Sequence, residues 1–192
     1  MPIMVRPATE ADVPALVRMK TSLLALEDSL HVGTPSEAIW RRDGFGPQPK
    51  FQALIAETAS TAIGMATYGT RGFPGWDGIA LFLHDLFVEK AYRRRGCARA
   101  LVARLAAEAQ AQNAAFVELT VDAGNSAREF YARMGFAHVS HCMTYIAAQP
   151  TLRALAAPAS NLHAFPTESM RKRRAPLPHK ARPAPAARRA RV

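Results

Sequence analysis

The sequence predicts a mixed α/β domain, and three observations carry that prediction. A branched, apolar run at residues 79–88 opens onto a glycine turn and then a long helical pattern. A short N-terminal strand pattern leads into an amphipathic helix, and two further strand patterns are separated only by a polar stretch of small residues.

In chain order, residues 3–6 are short and branched, and Thr9 follows as a helix cap with Glu10 and Asp12 in the first turn. Val13, Leu16, Val17, Met19, Leu23 and Leu24 then form an apolar stripe. A weaker helical pattern covers residues 36–43, with Thr34 as a cap before Pro35, and stops at Gly44-Phe45-Gly46-Pro47. Residues 51–56 and 63–68 read as a hairpin across residues 58–61. The glycine-rich stretch 69–78 is a loop before the longest strand, 79–88. Residues 99–112 place Leu101, Val102, Leu105, Ala109 and Gln112 at helical spacing. Residues 116–121 alternate as a strand, residues 126–134 read as a short helix ended by Gly135, and residues 137–147 are a final strand candidate.

The formal net charge of +10 is unevenly placed. From Pro150 onward there are ten Lys or Arg against one acid, Glu168, so the first 149 residues are close to neutral. The expected organisation is a catalytic body at residues 1–149 and a basic, Pro/Ala/Arg-rich tail at residues 150–192 without a packed core. A strongly basic binding face on the body is excluded by this distribution. Cys97 and Cys142 are too few for a disulfide framework and are read as reduced thiols. No run reaches the roughly 20 apolar residues of a membrane span, so the expectation is a cytoplasmic protein with no membrane partner.

The chemistry concentrates at residues 81–136. The turn Arg93-Arg94-Arg95-Gly96-Cys97-Ala98 feeds a helix N-terminus, which gathers unpaired backbone N–H groups and the positive end of the helix dipole. Such a place binds phosphate. Taken alone, Gly96 could equally be an ordinary turn residue, and its place between the longest strand and the longest helix is what favours a site.

The order of elements, with Arg93-x-x-Gly96-x-Ala98 after a strand and Phe130-Tyr131-x-x-x-Gly135-Phe136 near the end, resembles the GCN5-related N-acetyltransferases (GNAT). Within that superfamily the chain is most similar to the diamine (spermidine/spermine) and thialysine acetyltransferases. The likeness rests on Arg6-Pro7-Ala8-Thr9 with Glu27 beyond the first helix, on Asp43-Gly44-Phe45-Gly46, and on Leu83-His84-Asp85-Leu86-Phe87-Val88. It implies a mostly antiparallel central sheet, splayed near its middle and flanked by helices, with acetyl-CoA as co-substrate in the gap and no metal. On that footing Leu86, Phe87 and Val88 offer peptide hydrogen bonds to the pantetheine arm. Arg93, Arg94, Arg95, Gly96, Cys97, Ala98 and Arg99 wrap the pyrophosphate, with the side chains of Arg94, Arg95 and Arg99 adding to the field. One of the three consecutive arginines is expected to be no more than solvated, and Cys97 fills a small-residue position.

Acetyl transfer to an amine requires a neutral amine, a stabilised oxyanion and a proton for the departing thiolate. The family pattern gives the last of these roles to Tyr131, whose alternative is a core tyrosine; a phenol of pKa about 10 serves only when held close to the sulfur. The general base is less defined, because His84 stands where diamine relatives carry a glutamate. An imidazole of pKa about 6.5 suits the role, and a histidine packed on one strand face is the equal alternative. Strand alternation sends Asp85 to the face opposite His84 unless a bulge intervenes. Glu27, Asp28 and Asp85 are candidates for holding the substrate's distant ammonium groups. Solvated acids at a helix end are the alternative for Glu27 and Asp28, and Asp77 beside Trp76 is a further possibility. Asn125 is a candidate for the cofactor although it sits one residue closer to the tyrosine than the family pattern places its asparagine.

The expected activity is acetyl-CoA-dependent acetylation of a primary amine on a small polyamine, diamine or lysine-like substrate. The alternatives are a protein-amine acetyltransferase, or a non-catalytic acetyl-CoA-binding module tethered to nucleic acid through Arg171-Lys172-Arg173-Arg174. The resemblance also implies a homodimer.

Overall fold

The computed structural model describes residues 2–26, 33–72 and 78–140. Glu27, Asp28, Trp76, Asp77, Cys142 and the expected basic tail lie outside the described residues. The chain divides into two compact units, Met1–His138 and Val139–Val192, and all the elements below belong to the first.

A five-stranded sheet in the order β1-β2-β3-β4-β5 organises this unit. The strands are β1 (Met4–Pro7), β2 (Gln52–Thr58), β3 (Thr61–Gly72), β4 (Ile79–Val88) and β5 (Ala114–Leu119). Neighbours from β1 to β4 run antiparallel, while β5 lies parallel to β4 after the crossover helix α3 (Cys97–Ala111). Helices α1 (Val13–Leu24) and α2 (Glu37–Phe45) precede β2, and the short α4 (Ala127–Arg133) follows β5. The predicted order of elements is present with ends displaced by a few residues, but the longest strand is the 12-residue β3 rather than the 10-residue β4, because residues 69–72, expected in the loop, stay paired to β4. Residues 137–140 are not in a strand, and the rest of that predicted element is outside the described residues.

Local chemistry starts the helices. The Asp12 carboxylate accepts from the backbone N–H and the hydroxyl of Thr9. A 3-10 turn, Glu10–Asp12, then leads into α1. Arg6 forks onto Asp12 at 2.7 and 2.9 Å and onto Glu57 of β2, tying β1 to the start of the helix. The Arg6 guanidinium lowers the Asp12 carboxyl to about 2, so this tie persists well below neutral pH. For α2 the cap is Ser36, whose side chain accepts from the Ile39 N–H at 3.4 Å, rather than the expected Thr34.

The sheet is covered on both faces. Leu54, Ala66, Leu81, Leu83 and Val88 pack on one side with Leu101, Leu105 and Ala109 of α3. Ala53, Ile55, Met65 and Phe87 pack on the other with Val13, Leu16 and Met19 of α1 and Trp40 of α2. Gly64 governs how closely α3 approaches: a Cβ there would stand 2.9 Å from the Phe87 carbonyl oxygen, 3.1 Å from Cys97 Sγ and 3.3 Å from Leu101 Cδ1. A side chain at this position must displace the Phe87 carbonyl of β4 and crowds the side chains of Cys97 and Leu101 on α3. Gly64→Val is therefore expected to destabilise the fold by about 1–3 kcal/mol, the usual cost of overpacking, read as a lower urea midpoint at unchanged m value.

Candidate functional site

Pairing between β4 and β5 begins at Ile79↔Ala114 and ends at Leu83↔Leu119, leaving the last five residues of β4 without a parallel neighbour among the described residues. This is where the sheet opens. On the β3 side the Glu89 N–H donates to the Ile63 carbonyl at 2.9 Å, so alternation turns the peptide groups of Phe87 toward β3 as well. Those of Leu86 and Val88 face the gap. Of the three strand residues expected to present their backbone there, Phe87 does not: its peptide is directed into the sheet and its ring into the α1 side. The Val88 carbonyl already accepts from Arg93 Nε at 3.0 Å, which leaves the Leu86 peptide and the Val88 N–H as the edge without a strand partner among the described residues.

Immediately beyond this edge the chain turns through two left-handed residues, Arg94 at φ 64° and Gly96 at φ 87°. Left-handed residues allow a short turn to bring backbone N–H groups to one side, where an anion can be accepted, and α3 adds its own unpaired N–H groups. Gly96 is the residue preceding α3, and its carbonyl accepts from the Ala100 N–H at 2.9 Å. The Cys97 thiol is inside the core, 1% exposed, and burial pushes its pKa up to about 11, so only its backbone belongs to the turn. Arg94, Arg95 and Arg99 are exposed at the rim, with Arg95 stacked 5.9 Å over the Tyr92 ring. Arg93 instead braces the turn against the strand through Val88 and the Phe87 ring.

Tyr131 of α4 packs at the border of the apolar cluster that Leu86, Val117 and Leu119 also border. Its ring makes edge contacts with Phe130 at 5.3 Å and Phe136 at 5.6 Å, so it is held from both sides. Asn125 acts locally, its side-chain oxygen accepting from the Ala127 N–H at 2.9 Å and so starting α4.

His84 and Asp85 come together. The register of β3 on β4 passes from Thr67↔Asp85 to Tyr68↔Leu83, so His84 is the extra residue of a bulge. The bulge shifts the phase of the strand, placing Leu81, Leu83, Leu86 and Val88 all toward α3 and both His84 and Asp85 toward the other face. There they line one cavity of about 220 Å³ with Trp40, Lys50, Phe51 and Thr67.

Within the cavity the Asp85 carboxylate is fully engaged. Lys20 of α1 donates to Oδ1 at 2.5 Å and the Thr67 hydroxyl to Oδ2 at 2.6 Å. The imidazole of His84 rests against the Phe82 ring at 5.0 Å, and a Cβ at Gly69 would stand 3.0 Å from its Nε2. His84 is exposed on the strand face, and the partial desolvation of its ring draws its pKa down from 6.5; the neighbouring Asp85 opposes this, and Lys20 reinforces it. The ring is thus neutral at pH 7 and able to accept a proton. Lys20, Thr67, Trp40, Lys50 and Phe51 were not among the sequence candidates. Only the interval from Leu83 to Leu86, three residues where alternation predicts two, signals the bulge that gathers them. Among the described residues no group of three or more His, Cys, Asp or Glu could hold a metal, and no helix is long and apolar enough to cross a membrane.

A sheet that opens beside a left-handed turn at a helix N-terminus, with a lined cavity on one face of β4, is an arrangement that can take a ligand carrying an anionic group. The model of the acetyltransferase (GNAT) domain matches residues 36–144, and the chain belongs to this acetyltransferase family. It is 32% identical over 108 residues to spermidine/spermine N(1)-acetyltransferase-like protein 1 of Homo sapiens, covering 53% of this chain but only 15% of that protein. It is 27% identical over 142 residues to thialysine N-epsilon-acetyltransferase of Bos taurus, covering 69% of this chain and 83% of that protein. In fold it is similar to an integron cassette protein from the mobile metagenome of V. cholerae, with a TM-score of 0.67 at 20% identity over 81% of this chain and 98% of that one. An aminoglycoside acetyltransferase from an uncultured soil sample gives 0.65 at 15% identity over 77% and 97%.

Proposed function

We propose that the protein is an acetyl-CoA-dependent N-acetyltransferase acting on a primary amine of a small polyamine, diamine or lysine-like acceptor. The observation that carries the reading is the end of β4–β5 pairing at Leu83↔Leu119 directly before the Arg94–Gly96 turn. An unpaired strand edge followed by such a turn fits a ligand with an amide-rich arm and a pyrophosphate, which are the two recognition elements of acetyl-CoA.

When bound, acetyl-CoA supplies a thioester acetyl group. The Leu86 peptide and the Val88 N–H hold the amide arm in the manner of strand addition. The turn and the N–H groups of Cys97, Ala98 and Arg99 hold the pyrophosphate, with the exposed guanidinium groups of Arg94, Arg95 and Arg99 adding charge. His84 takes the proton of the acceptor ammonium on a ring nitrogen, since its lowered pKa keeps it neutral at pH 7. Asp85, tied to Lys20 and Thr67, fixes the wall beside it. Tyr131 supplies the proton for the leaving sulfur, its ring oriented by Phe130 and Phe136. Support for an amine acceptor comes from the spermidine/spermine-like and thialysine acetyltransferases to which the chain is similar.

A thiol-release assay with acetyl-CoA and a panel of amines tests the reading, and the absence of both turnover and coenzyme A binding would reject it. The pH dependence tests the base. A neutral imidazole is required, so kcat/KM rises with pH through an apparent pKa below 6.5 and stays level above it until another group titrates. His84→Gln is expected to remove that limb and lower the rate about 10²-fold. An unaltered limb in the variant would assign it to another residue.

A further inference from the structure

We infer that Lys20 of α1 is a positioning residue for this site: through Asp85 it pins the β4 bulge and fixes where the His84 ring stands at the cavity. The inference rests on the acetyltransferase reading and adds to it the group that holds the base in place.

A bulge residue has no cross-strand partner of its own, so its position depends on how firmly its neighbours are held. His84 is such a residue, between Leu83 and Asp85. Leu83 is packed in the apolar cluster on the α3 side. Asp85 is held by polar contacts instead. Across the strand pair the Thr67 hydroxyl donates to Oδ2 at 2.6 Å, and across the layer Lys20 Nζ donates to Oδ1 at 2.5 Å. The side chains of Asp85 and Lys20 are 11% and 23% exposed, so little water competes for the pair. Thr67 ties the carboxylate only to the neighbouring strand, whereas Lys20 ties the bulge to a separate element.

The place of that tie gives it a role at the site. Beyond Leu83, β4 has no β5 partner among the described residues. Over this stretch α1 makes a second ion pair, from Arg18 to Glu89, the residue directly after the strand. The helix thus braces the half of β4 that β5 does not support. Arg18 is the more exposed of the two cations, so the Lys20 pair is the stronger brace. The His84 ring is seated over Gly69, where a Cβ would stand 3.0 Å from Nε2, and beside Phe82 at 5.0 Å. A shift of the bulge moves the ring off this seat.

The same pair acts on the charge of the ring. Among the described residues, Asp85 on the ring's own strand favours its protonated form and Lys20 of α1 opposes it. Lys50 also lines the cavity, while α2 and β3 contribute Trp40, Thr67 and Gly69, which do not titrate.

The test uses the full chain, acetyl-CoA and an amine taken from the thiol-release panel. In Lys20→Met, kcat on the pH plateau is expected to fall about ten- to a hundredfold with coenzyme A affinity unchanged, the usual cost of a misplaced group. The acid limb of kcat/KM should move to higher pH, because Asp85 then acts on the imidazole unopposed. Lys20→Arg keeps the charge and should keep the native limb. Asp85→Asn leaves Lys20 unopposed and should move the limb to lower pH. A residue serving only the fold would lower the urea midpoint without moving the limb in opposite directions. A limb unmoved in both single variants, or a full plateau rate in Lys20→Met, overturns the inference. Breaking a largely buried pair can unfold a protein. Should Lys20→Met fail to fold, Asp85→Asn, which keeps an acceptor for Thr67 and Lys20, still reads the limb, and an unmoved limb there overturns the inference. If coenzyme A binds but no amine is acetylated, the acetyltransferase reading fails separately. The NMR signal of the His84 ring, assigned by its absence in His84→Gln, then reads the same opposite displacements, and a titration unmoved in both variants overturns the inference on its own terms.

Discussion

Gly96→Val weakens coenzyme A binding by about tenfold or more while leaving the protein folded. The reason lies in the backbone. Gly96 holds φ 87°, a left-handed conformation that a β-branched residue reaches only at a cost of about 1–2 kcal/mol. Nothing lies within 4 Å of where its Cβ would be, so the substitution causes no clash inside the protein and its effect falls on the path of the turn. Once the turn relaxes to negative φ, its N–H groups no longer converge, and a methyl group projects into the space a pyrophosphate would occupy. Calorimetric titration with coenzyme A measures the affinity, and urea denaturation of the same variant measures the cost to the fold. Unchanged affinity in a destabilised variant would make Gly96 an ordinary turn residue. The contrast with Gly64→Val is informative, since that glycine is needed for packing and the expected loss there is in stability first.

Tyr131→Phe lowers kcat by about 10²-fold with coenzyme A affinity unchanged. The phenol oxygen is the only atom lost, and the ring contacts with Phe130 and Phe136 survive the substitution. A proton donor acts in the transition state rather than in binding, so the effect belongs in kcat and not in the dissociation constant of the cofactor. Acceptors that react through the same thioester should all be slowed by the same factor, because the proton goes to the common leaving group. A variant with full kcat would leave Tyr131 as a packed ring at the edge of the core. One with weakened cofactor binding and unchanged kcat would make it a contact for the ligand.

Much of the fold was legible from periodicity. The run at residues 79–88 is β4 to the residue, and Leu101, Val102, Leu105 and Ala109 face the core as their spacing predicts. The glycine turn was legible too, because a glycine between a strand and a long helix is a local signal, and Gly96 stands there at φ 87°. Other features were read less well for local reasons. Ser36, not Thr34, caps α2, and both residues have the hydroxyl a cap requires. Asn125 is used to begin α4, a demand set by the loop it closes. Phe87 stands within the expected cofactor-side triplet, yet its peptide turns to β3 because alternation admits only every second residue to the gap.

By itself the sequence determined the elements, their order, the glycine turn and the family, since each depends on residues close together in the chain. The tertiary structure decided what surrounds His84. A single extra residue between Leu83 and Asp85 turns both polar side chains to one face, and register is a property of two strands rather than one. Lys20, Trp40, Lys50 and Thr67 reach that face from four other segments, separated along the chain by up to 65 residues in the Lys20–Asp85 pair. Their charges act on each other only once the sheet and helices bring them within a few ångströms. The turn at Gly96 was therefore readable from sequence, and the polar surroundings of His84 were not.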